Sequence, residues 1–401
     1  MKLLVNILRI IVGVFFIFSG LLKANDPLGL SYKMEEFFTV WGMSGLNSLA
    51  LSLSVLMIAF EIIAGAALLI GWKPKLVSWL LLLLIVFFTF LTGYAALSGK
   101  FKTCGCMGDC IPIPSAVSFY KDVLLLALIL IIFFNFKYIK PLFSTKVNIA
   151  LLVLSVIFSF ASQWYTLNYL PVADCLPFKK GNSIPQMMEM PKNAVSDSTA
   201  ITFVYEKNGK EIEFSADDFP EDFNEDAYKF IKRYDKVVRP GTNNIPPITG
   251  FVLTDGQGID FTNSVLDAKK ALVLFLEDIK SAGTSWIADF EKIYEKGREK
   301  GFDVYVITST RPNAEKAFAN TKLKEITVLN GDRTMIRTAA RTNPALLLLN
   351  NGVVAEKWSY REFGGAIDNI LKWDAAHFQG TPGESPNSHK SVTGDSVYIS
   401  L

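Results

Sequence analysis

Hydrophobic residues are distributed unevenly along the chain, and five long apolar runs lie within the first 170 residues. They cover approximately residues 3–22, 46–70, 76–97, 119–135 and 147–167. Each is close to the roughly 20 residues that a helix needs to cross a hydrocarbon core of about 30 Å. The first run is too long for a signal peptide and offers no small-residue cleavage site. We therefore expect five retained spanning helices in a lipid bilayer.

The second part of the chain has the pattern of a soluble α/β protein. Two alternating segments flank Asn208-Gly209, which predicts a β-hairpin. The acidic, aromatic stretch that follows, residues 216–234, is expected to be partly helical. After residue 250, buried-type strands alternate with helices. The strands are predicted at residues 271–276, 304–308, 326–329, 345–349 and 353–360, and the helices at 285–300, 313–319, 334–341 and 363–373.

These patterns predict five consecutive regions. Residues 1–140 form a bundle of four spans, and residues 141–180 hold the fifth helix and its exit from the membrane. A linker with the small hairpin follows at 181–247. The α/β domain occupies 248–375, and a Gly-, Pro- and Ser-rich tail at 376–401 is expected to be disordered.

Composition supports this division and excludes several kinds of site. The 401 residues are 50% hydrophobic and 19% charged, with a mean hydropathy of +0.31. Residues 1–170 carry 12 of the 40 basic and 6 of the 38 acidic residues, so the remainder carries 28 and 32 and is net acidic. We expect no nucleic-acid partner, because the soluble part has no basic stripe. The two histidines, His377 and His389, leave no material for a histidine-based triad or haem site.

The lysines and arginines in the short loops predict the orientation. With the N-terminus in the cytoplasm, seven of these residues lie on the cytoplasmic side and five on the outer side. Five spans then place the C-terminal domain in the periplasm, beyond the inner membrane of a bacterial cell. The loop at 99–118 lies on that same outer side.

Two ionisable residues lie inside predicted spans, where an unpaired charge is costly. Arg9 is in the first span and Glu61 in the second. We expect them to meet as an intramembrane ion pair. A structural pair is favoured over a proton relay or a ligand site.

The four cysteines cluster near one predicted face of the membrane. Cys104, Cys106 and Cys110 lie in the loop at 99–118, and Cys175 follows the fifth span. One hypothesis is a redox-active dithiol, Cys104 with Cys106, with Cys110 and Cys175 as a second pair. The alternatives are purely structural disulfides, or a soft metal site, which the missing paired Cys-x-x-Cys spacing disfavours, so no metal is predicted. Four cysteines allow three pairings.

The one-residue gap between Cys104 and Cys106 favours the redox interpretation. A disulfide across it needs a bent backbone, which Gly105 permits. Such a strained bond would be easy to exchange, as redox-active disulfides are.

The membrane part resembles two related families. Arg9-x-x-x-Gly13, Ser19-Gly-x-x-Lys23 and the Glu61 segment are similar to the DoxX family of four-helix membrane proteins. The sequence Cys-Gly-Cys-Met-Gly-Asp at 104–109, followed by Lys-Asp at 121–122, resembles the methylamine-utilisation MauE branch, with Met where that branch usually has Phe. The resemblance covers about residues 1–140, and the fifth span is extra. It implies a helical bundle that assists redox maturation of exported proteins by disulfide formation.

The C-terminal domain resembles the thioredoxin-like fold. The resemblance covers about residues 248–373 and rests on a βαβ unit, a hairpin, a last helix and Pro344 just before the first hairpin strand. In that fold the matching proline is usually cis and faces the active site; the alternative is an ordinary proline at a strand start. The dithiol of the fold would lie at residues 277–286, which contain no cysteine, so we expect no thiol exchange by this domain. Fusion of the two parts resembles a Bacteroidetes-type family of unassigned function.

Three hypotheses of function follow. The first is a membrane thiol-redox protein of the cell envelope, with Cys104 and Cys106 as the exchangeable pair and the soluble domain binding an exported client or redox partner around Pro344. The second is a non-catalytic scaffold with structural disulfides. The third is a quinone-linked oxidoreductase, which the DoxX resemblance implies. No resident cofactor is expected, with a quinone as the one candidate.

Overall fold

The computed structural model describes residues 1–373 apart from residues 102, 217, 225, 240 and 242. The predicted disordered tail at 376–401 and both histidines lie outside the described residues.

The first part of the chain is a helical bundle. Its helices are α1 (Lys2–Ala24), α2 (Pro27–Val40), α3 (Ala50–Ile70), α4 (Pro74–Ser98), α5 (Ser115–Phe134) and α6 (Thr145–Asn168). Within the described residues, five segments are long and apolar enough to cross a membrane: all of these helices but α2, with α3 extended back to Ser44 by a 3₁₀ turn. This confirms the predicted membrane bundle with its extra span.

Helix α2 is not predicted by hydropathy, because its sequence mixes charged and apolar residues. Its start has a local cause. The Asp26 side chain accepts a hydrogen bond from the Gly29 N–H at 2.9 Å, and Pro27 occupies the first turn. Ser54 of α3 donates to the Pro27 carbonyl at 2.8 Å. Helix α2 therefore packs across the end of the bundle that also carries the cysteines.

Close approach of two glycines sets the register between α1 and α3. A Cβ added at Gly65 would lie 2.8 Å from the Gly13 carbonyl oxygen, which shows how closely the two backbones pass. In this antiparallel register Arg9 faces Leu69, whose carbonyl accepts from the Arg9 guanidinium at 3.1 Å. Leu69 is eight residues from Glu61, or about 12 Å along the helix.

The predicted ion pair between Arg9 and Glu61 is therefore wrong. Arg9 also donates to the Lys140 carbonyl at 3.1 Å, so backbone oxygens at the far end of the bundle serve as its partners. Glu61 lies toward the other end of α3 and pairs with Lys23 instead. The expectation assumed similar depths for the two residues, and the glycine contact places them at different depths.

A small sheet follows the short helix α7 (Ile184–Met188). Strands β1 (Ser198–Lys207) and β2 (Lys210–Ser215) form the predicted hairpin, and β3 (Lys229–Arg239) pairs antiparallel with β1. The expected helical content of residues 216–234 is wrong where β3 begins. Its aromatic residues pack across the sheet, as Tyr205 and Phe230 do with ring centroids 5.5 Å apart.

The C-terminal domain has a five-stranded mixed sheet. Its strands are β4 (Ala271–Leu276), β5 (Asp303–Thr308), β6 (Thr327–Asn330), β7 (Ala345–Asn350) and β8 (Val353–Ser359), in the order β6-β5-β4-β7-β8. Strands β4, β5 and β6 are parallel, and β7 runs antiparallel to β4 and β8. The helices are α8 (Thr262–Leu266), α9 (Ile279–Ala282), α10 (Ile287–Glu299), α11 (Arg311–Phe318), α12 (Arg333–Ala339) and α13 (Phe363–Lys372).

Strand β4 lies at the centre of this domain, since all six of its residues are buried and each face meets a separate hydrophobic cluster. The βαβ unit β4-α10-β5, the hairpin β7-β8 and the last helix α13 occur in the predicted order. The fold class is thus the predicted one: a membrane helix bundle followed by a soluble thioredoxin-like α/β domain.

Candidate functional site

One disulfide fastens the loop between α4 and α5, residues 99–114, which we call the Cys loop. Cys110 is bonded to Cys175, with an S–S distance of 2.01 Å and a sequence separation of 65. The bond joins the Cys loop to the segment that follows α6. Of the three pairings that the sequence allows, the structure has this one, and it leaves Cys104 and Cys106 as free thiols.

The backbone of the Cys loop turns sharply at two glycines. Gly105 and Gly108 have φ angles of +67° and +68°, a region that side chains with a Cβ rarely adopt. A Cβ at Gly105 would also lie 2.9 Å from Cγ of Lys33 in α2. The turn places the two thiols side by side, and both are free.

The thiols of Cys104 and Cys106 have different acidities. The Cys106 thiol lies 4.0 Å from the Cys104 carbonyl oxygen and next to the Cys104 sulfur, and hydrogen bonding from Cys106 lowers the pKa of Cys104 to about 7. The same hydrogen bond, followed by burial, raises the pKa of Cys106 well above its ordinary value. Cys104 is therefore the thiol that ionises near neutral pH, and Cys106 keeps its proton.

An apolar groove leads to both thiols. Cys104 is buried in a cluster with Phe37, Ala95 and Phe101. The groove runs between α2, α3 and α4, and its wall includes Leu30, Met34, Met57, Phe88 and Leu91 together with both cysteines. The groove has a volume of about 40 Å³, and Lys23 and Lys33 also contribute to its wall.

Polar groups from α1 and α3 form a buried cluster beneath Cys106. Lys23 Nζ lies 2.5 Å from Glu61 Oε1, and both side chains are almost fully buried. Lys23 also donates to Ser19 Oγ at 3.1 Å, and Ser19 Oγ lies 3.1 Å from Glu61 Oε2 and 3.4 Å from the Cys106 carbonyl oxygen. Lys23, Ser19, Glu61 and Cys106 line one small cavity.

Helix α5 adds a second ion pair to the wall of that cavity. Lys121 Nζ lies 3.0 Å from Asp122 Oδ1, and Thr92 donates to Asp122 Oδ2 at 3.0 Å. The sequence analysis did not assign Lys23, Lys121 or Asp122 to the site. They entered it as parts of family motifs and, for the lysines, as loop charges. A lysine in the last turn of an apolar span was the signal that could have identified Lys23.

The soluble domain docks on the same end of the bundle. Arg341 reaches Asp26 at 2.7 Å and Asp109 of the Cys loop at 2.6 Å, and it is buried. Arg337 of α12 contacts Glu35 of α2 at 2.7 Å. The guanidinium groups of Arg337 and Arg341 lie 4.2 and 5.4 Å from the centre of the Tyr32 ring. A second contact joins Lys357 to Asp174, next to the disulfide, at 3.0 Å.

Pro344 lies beside the segment where a thioredoxin-like dithiol would be. The peptide bond between Asn343 and Pro344 is cis. The Asn343 side chain accepts from the Glu277 N–H at 2.9 Å and donates to the Asp278 carbonyl at 3.1 Å. Glu277 itself pairs with Arg337 at 2.8 Å. Charged residues thus occupy the place of the dithiol and face the docking interface.

The structure therefore brings together three of the predicted elements and separates one. The free thiols, the Cys110–Cys175 disulfide and Glu61 lie at one end of the bundle, beneath the soluble domain. Arg9 lies at the opposite end. Within the described residues, no group of three His, Cys, Asp or Glu side chains is placed to hold a metal ion.

These features define a multi-pass membrane helix bundle with a free thiol pair, capped by a soluble thioredoxin-like domain without a dithiol. Residues 1–135 match the family of the methylamine utilisation protein MauE, which confirms the predicted MauE resemblance of the membrane part. Residues 199–240, the small sheet, match a domain of unknown function, DUF8463.

One solved structure is similar to the chain. It is the solution structure of a thiol:disulfide interchange protein from Bacteroides sp., with 17% sequence identity and a TM-score of 0.24. The similarity covers 32% of this chain and 91% of that one. No curated protein matches the chain.

Proposed function

We propose that this protein supports thiol–disulfide exchange during the maturation of exported proteins, with Cys104 and Cys106 as the exchangeable pair. The observation that carries the proposal is the adjacent free thiols, of which Cys104 has a pKa of about 7. The thiolate is the nucleophile in exchange, and near pH 7 the attacking thiol combines ionisation with nucleophilicity. The MauE match over residues 1–135 adds support.

The proposed exchange is balanced between the pair and a client disulfide. The Cys104 thiolate attacks one client sulfur, and the other client sulfur leaves as a thiolate. Cys106 then loses its proton and attacks Cys104 Sγ, which releases the second client sulfur and forms a Cys104–Cys106 disulfide. The client gains two electrons and the pair loses two. The reverse sequence introduces a disulfide into a client dithiol.

The soluble domain acts in this proposal as a docking module for the client or redox partner. Charged residues replace its dithiol, and Arg341 holds the domain against the Cys loop. The proposed location is the bacterial inner membrane, with the N-terminus in the cytoplasm and the soluble domain in the periplasm. The loop cysteines and the soluble domain then share the oxidising side, where the Cys110–Cys175 disulfide is expected to persist.

The groove that reaches the thiols favours a second candidate function. Its wall is mainly apolar, with Met34, Met57 and Phe88, so a quinone dissolved in the bilayer could enter once the groove widens beyond its volume of about 40 Å³. In this alternative the quinone receives the two electrons of the thiol pair, and clients supply them. The protein would then link disulfide formation to membrane electron transfer.

The test is the redox state of the two thiols in isolated membranes. Vesicles would be reduced mildly, washed, and exposed to oxidised glutathione, to ubiquinone-1 or to neither, before alkylation with a maleimide of known mass. We expect glutathione to remove both maleimide additions at Cys104 and Cys106. Removal by ubiquinone-1 as well would favour the quinone-linked form.

The matched control is Cys104→Ser, which leaves Cys106 without a partner: it should keep its single addition with ubiquinone-1, and with oxidised glutathione it should carry a glutathione adduct, which its mass distinguishes from an internal disulfide. Two additions that persist under both oxidants in the unaltered protein would overturn the proposal. The structural scaffold would then be the better account of the fold.

A further inference from the structure

The buried ion pair of Lys23 and Glu61 contributes little to the stability of the helix bundle. The side chains of Lys23 and Glu61 are only 3% and 1% exposed. Burying two charges costs free energy that their mutual attraction only partly offsets. A hydrophobic pair would hold α1 against α3 at lower cost, and the contact of Gly13 with Gly65 already does so. Intramembrane charges of this kind commonly mark sites of ion or proton chemistry.

The pair lies beside Cys106 in one small cavity and reaches its backbone carbonyl through Ser19. Ser19 Oγ bridges the two, because it lies within hydrogen-bond distance of Lys23, of Glu61 and of the Cys106 carbonyl oxygen. Lys23 and Cys106 line both the apolar groove and the small cavity beneath the loop. Of the charged groups around Cys106, Lys23 contributes the largest stabilisation of its thiolate.

We propose that Lys23 and Glu61 form the proton-transfer group for Cys106 in the exchange reaction. The Glu61 carboxylate takes up the Cys106 proton, and Lys23 then pairs with the thiolate in place of the carboxylate. The net charge of the buried cluster stays at zero throughout, so no unpaired charge forms in a low-dielectric environment. In the reverse direction, Glu61 returns the proton. The assignment rests on the proposed function.

Other charged groups face the same site, but their environments differ. Asp122 of α5 is tied to Lys121 and accepts from Thr92. Lys33 of α2 contacts the Cys loop at Gly105 but pairs with Glu36 near the surface. Lys121 also favours the Cys106 thiolate, after Lys23, while Asp122 disfavours it. The pair of Lys23 and Glu61 is the one that reaches, through Ser19, the backbone carbonyl of Cys106, whose thiol must lose a proton.

The test measures how the alkylation of Cys106 depends on pH. Because Cys110 and Cys175 are bridged, Cys104→Ser in the full chain leaves Cys106 as the single free thiol. The rate of modification by iodoacetamide would be followed in nanodiscs from pH 6 to pH 10. Adding Lys23→Met should raise the midpoint pH of Cys106 alkylation by about one unit. At a fixed pH below the midpoint, this corresponds to a roughly tenfold lower rate.

Adding Glu61→Gln should shift the midpoint the other way, down by about one pH unit, because Lys23 then faces Cys106 without a competing carboxylate. Opposite shifts are the signature of a charge-coupled pair, since a purely structural pair would lower stability in both variants without such shifts. Lys23→Arg keeps the charge and should keep the midpoint within a few tenths of a unit. Lys75→Met, at an exposed position at the far end of the bundle, is the matched control and should do the same.

Equal midpoints in the Lys23→Met and Glu61→Gln proteins would overturn the assignment, as would shifts of the same sign. If Lys23→Met fails to accumulate, Lys23→Gln provides the same comparison. The measurement needs no client or oxidant. An unchanged pH profile therefore refutes the proton-transfer role alone, whereas inert thiols in the glutathione experiment refute the exchange function.

Discussion

Replacing Arg341 with methionine should release the soluble domain from the membrane bundle. Arg341 is the one buried cation that contacts both Asp26 and Asp109 among the described ion pairs. Methionine keeps most of the apolar volume but cannot pair with either carboxylate. The Asp26 carboxylate is then left buried without its charged partner.

The expected magnitude follows from how deeply each partner is buried. Breaking a buried ion pair by removing one partner costs about 3–5 kcal/mol. The Asp109 side chain is 36% exposed, so its share is under about 1 kcal/mol. A loss of about 3 kcal/mol lowers the ratio of docked to undocked molecules by roughly a hundredfold.

The penalty should also depend on pH. Burial is the largest cause that raises the pKa of Asp26 above its ordinary value, even with Arg341 beside it. A carboxyl whose folded-state pKa is raised destabilises the docked state above that pKa and is relieved as the pH falls through it. The Arg341→Met protein should therefore be less impaired at pH 5 than at pH 8.

Hydrogen–deuterium exchange in nanodiscs measures this effect. We expect faster exchange in α2 and α12 of the variant, with no change in the central strand β4. Arg333→Met is the matched control, because Arg333 begins α12, shortly before Arg341, but its side chain is 61% exposed and pairs only with Glu277. Unchanged exchange in α2, or an equal effect of the control, would refute the docking role of Arg341.

The thiol pair, the disulfide and the topology each provide one further test. Cys106→Ala should raise the midpoint pH for alkylation of Cys104 above about 7, because the donor is lost, whereas Cys106→Ser keeps a donor and a low midpoint; equal midpoints would contradict the hydrogen bond. Opening the 65-residue loop with Cys110→Ser and Cys175→Ser should cost about 4 kcal/mol in detergent unfolding, and Cys104→Ser should cost far less. An envelope-only reporter fused after Trp373 should be active, and activity of a cytoplasm-only reporter there would reverse the topology.

The strongest local patterns in the sequence were sufficient for most of the elements. Apolar runs long enough to span a bilayer, strand periodicity and the Asn208-Gly209 turn are properties of neighbouring residues, so they predicted five spans, the hairpin and the central sheet. Local patterns were less informative where contacts with a distant segment determine whether a strand or helix forms. Strand β3 forms because its residues find β1 as a partner, and α2 forms against α3 despite its mixed composition.

Some features of the candidate site also follow from the sequence alone, whereas others depend on the tertiary structure. The sequence by itself determined that three of the four cysteines lie in one loop and that residues 277–286 lack a dithiol, since both are matters of residue type and position. Only the tertiary structure decided that Glu61 pairs with Lys23 and not with Arg9. Depth along a helix depends on the register between helices, and the backbone contact of Gly13 with Gly65 sets that register.

Tertiary structure also decided which cysteines remain free. Bonding of Cys110 to Cys175 depends on where the end of α6 meets the Cys loop, at a sequence separation of 65. The contact of Arg341 with Asp109 spans 232 residues and two domains. Local sequence patterns carry no information about such distances, because partners far apart in the chain meet only through the packing of everything between them.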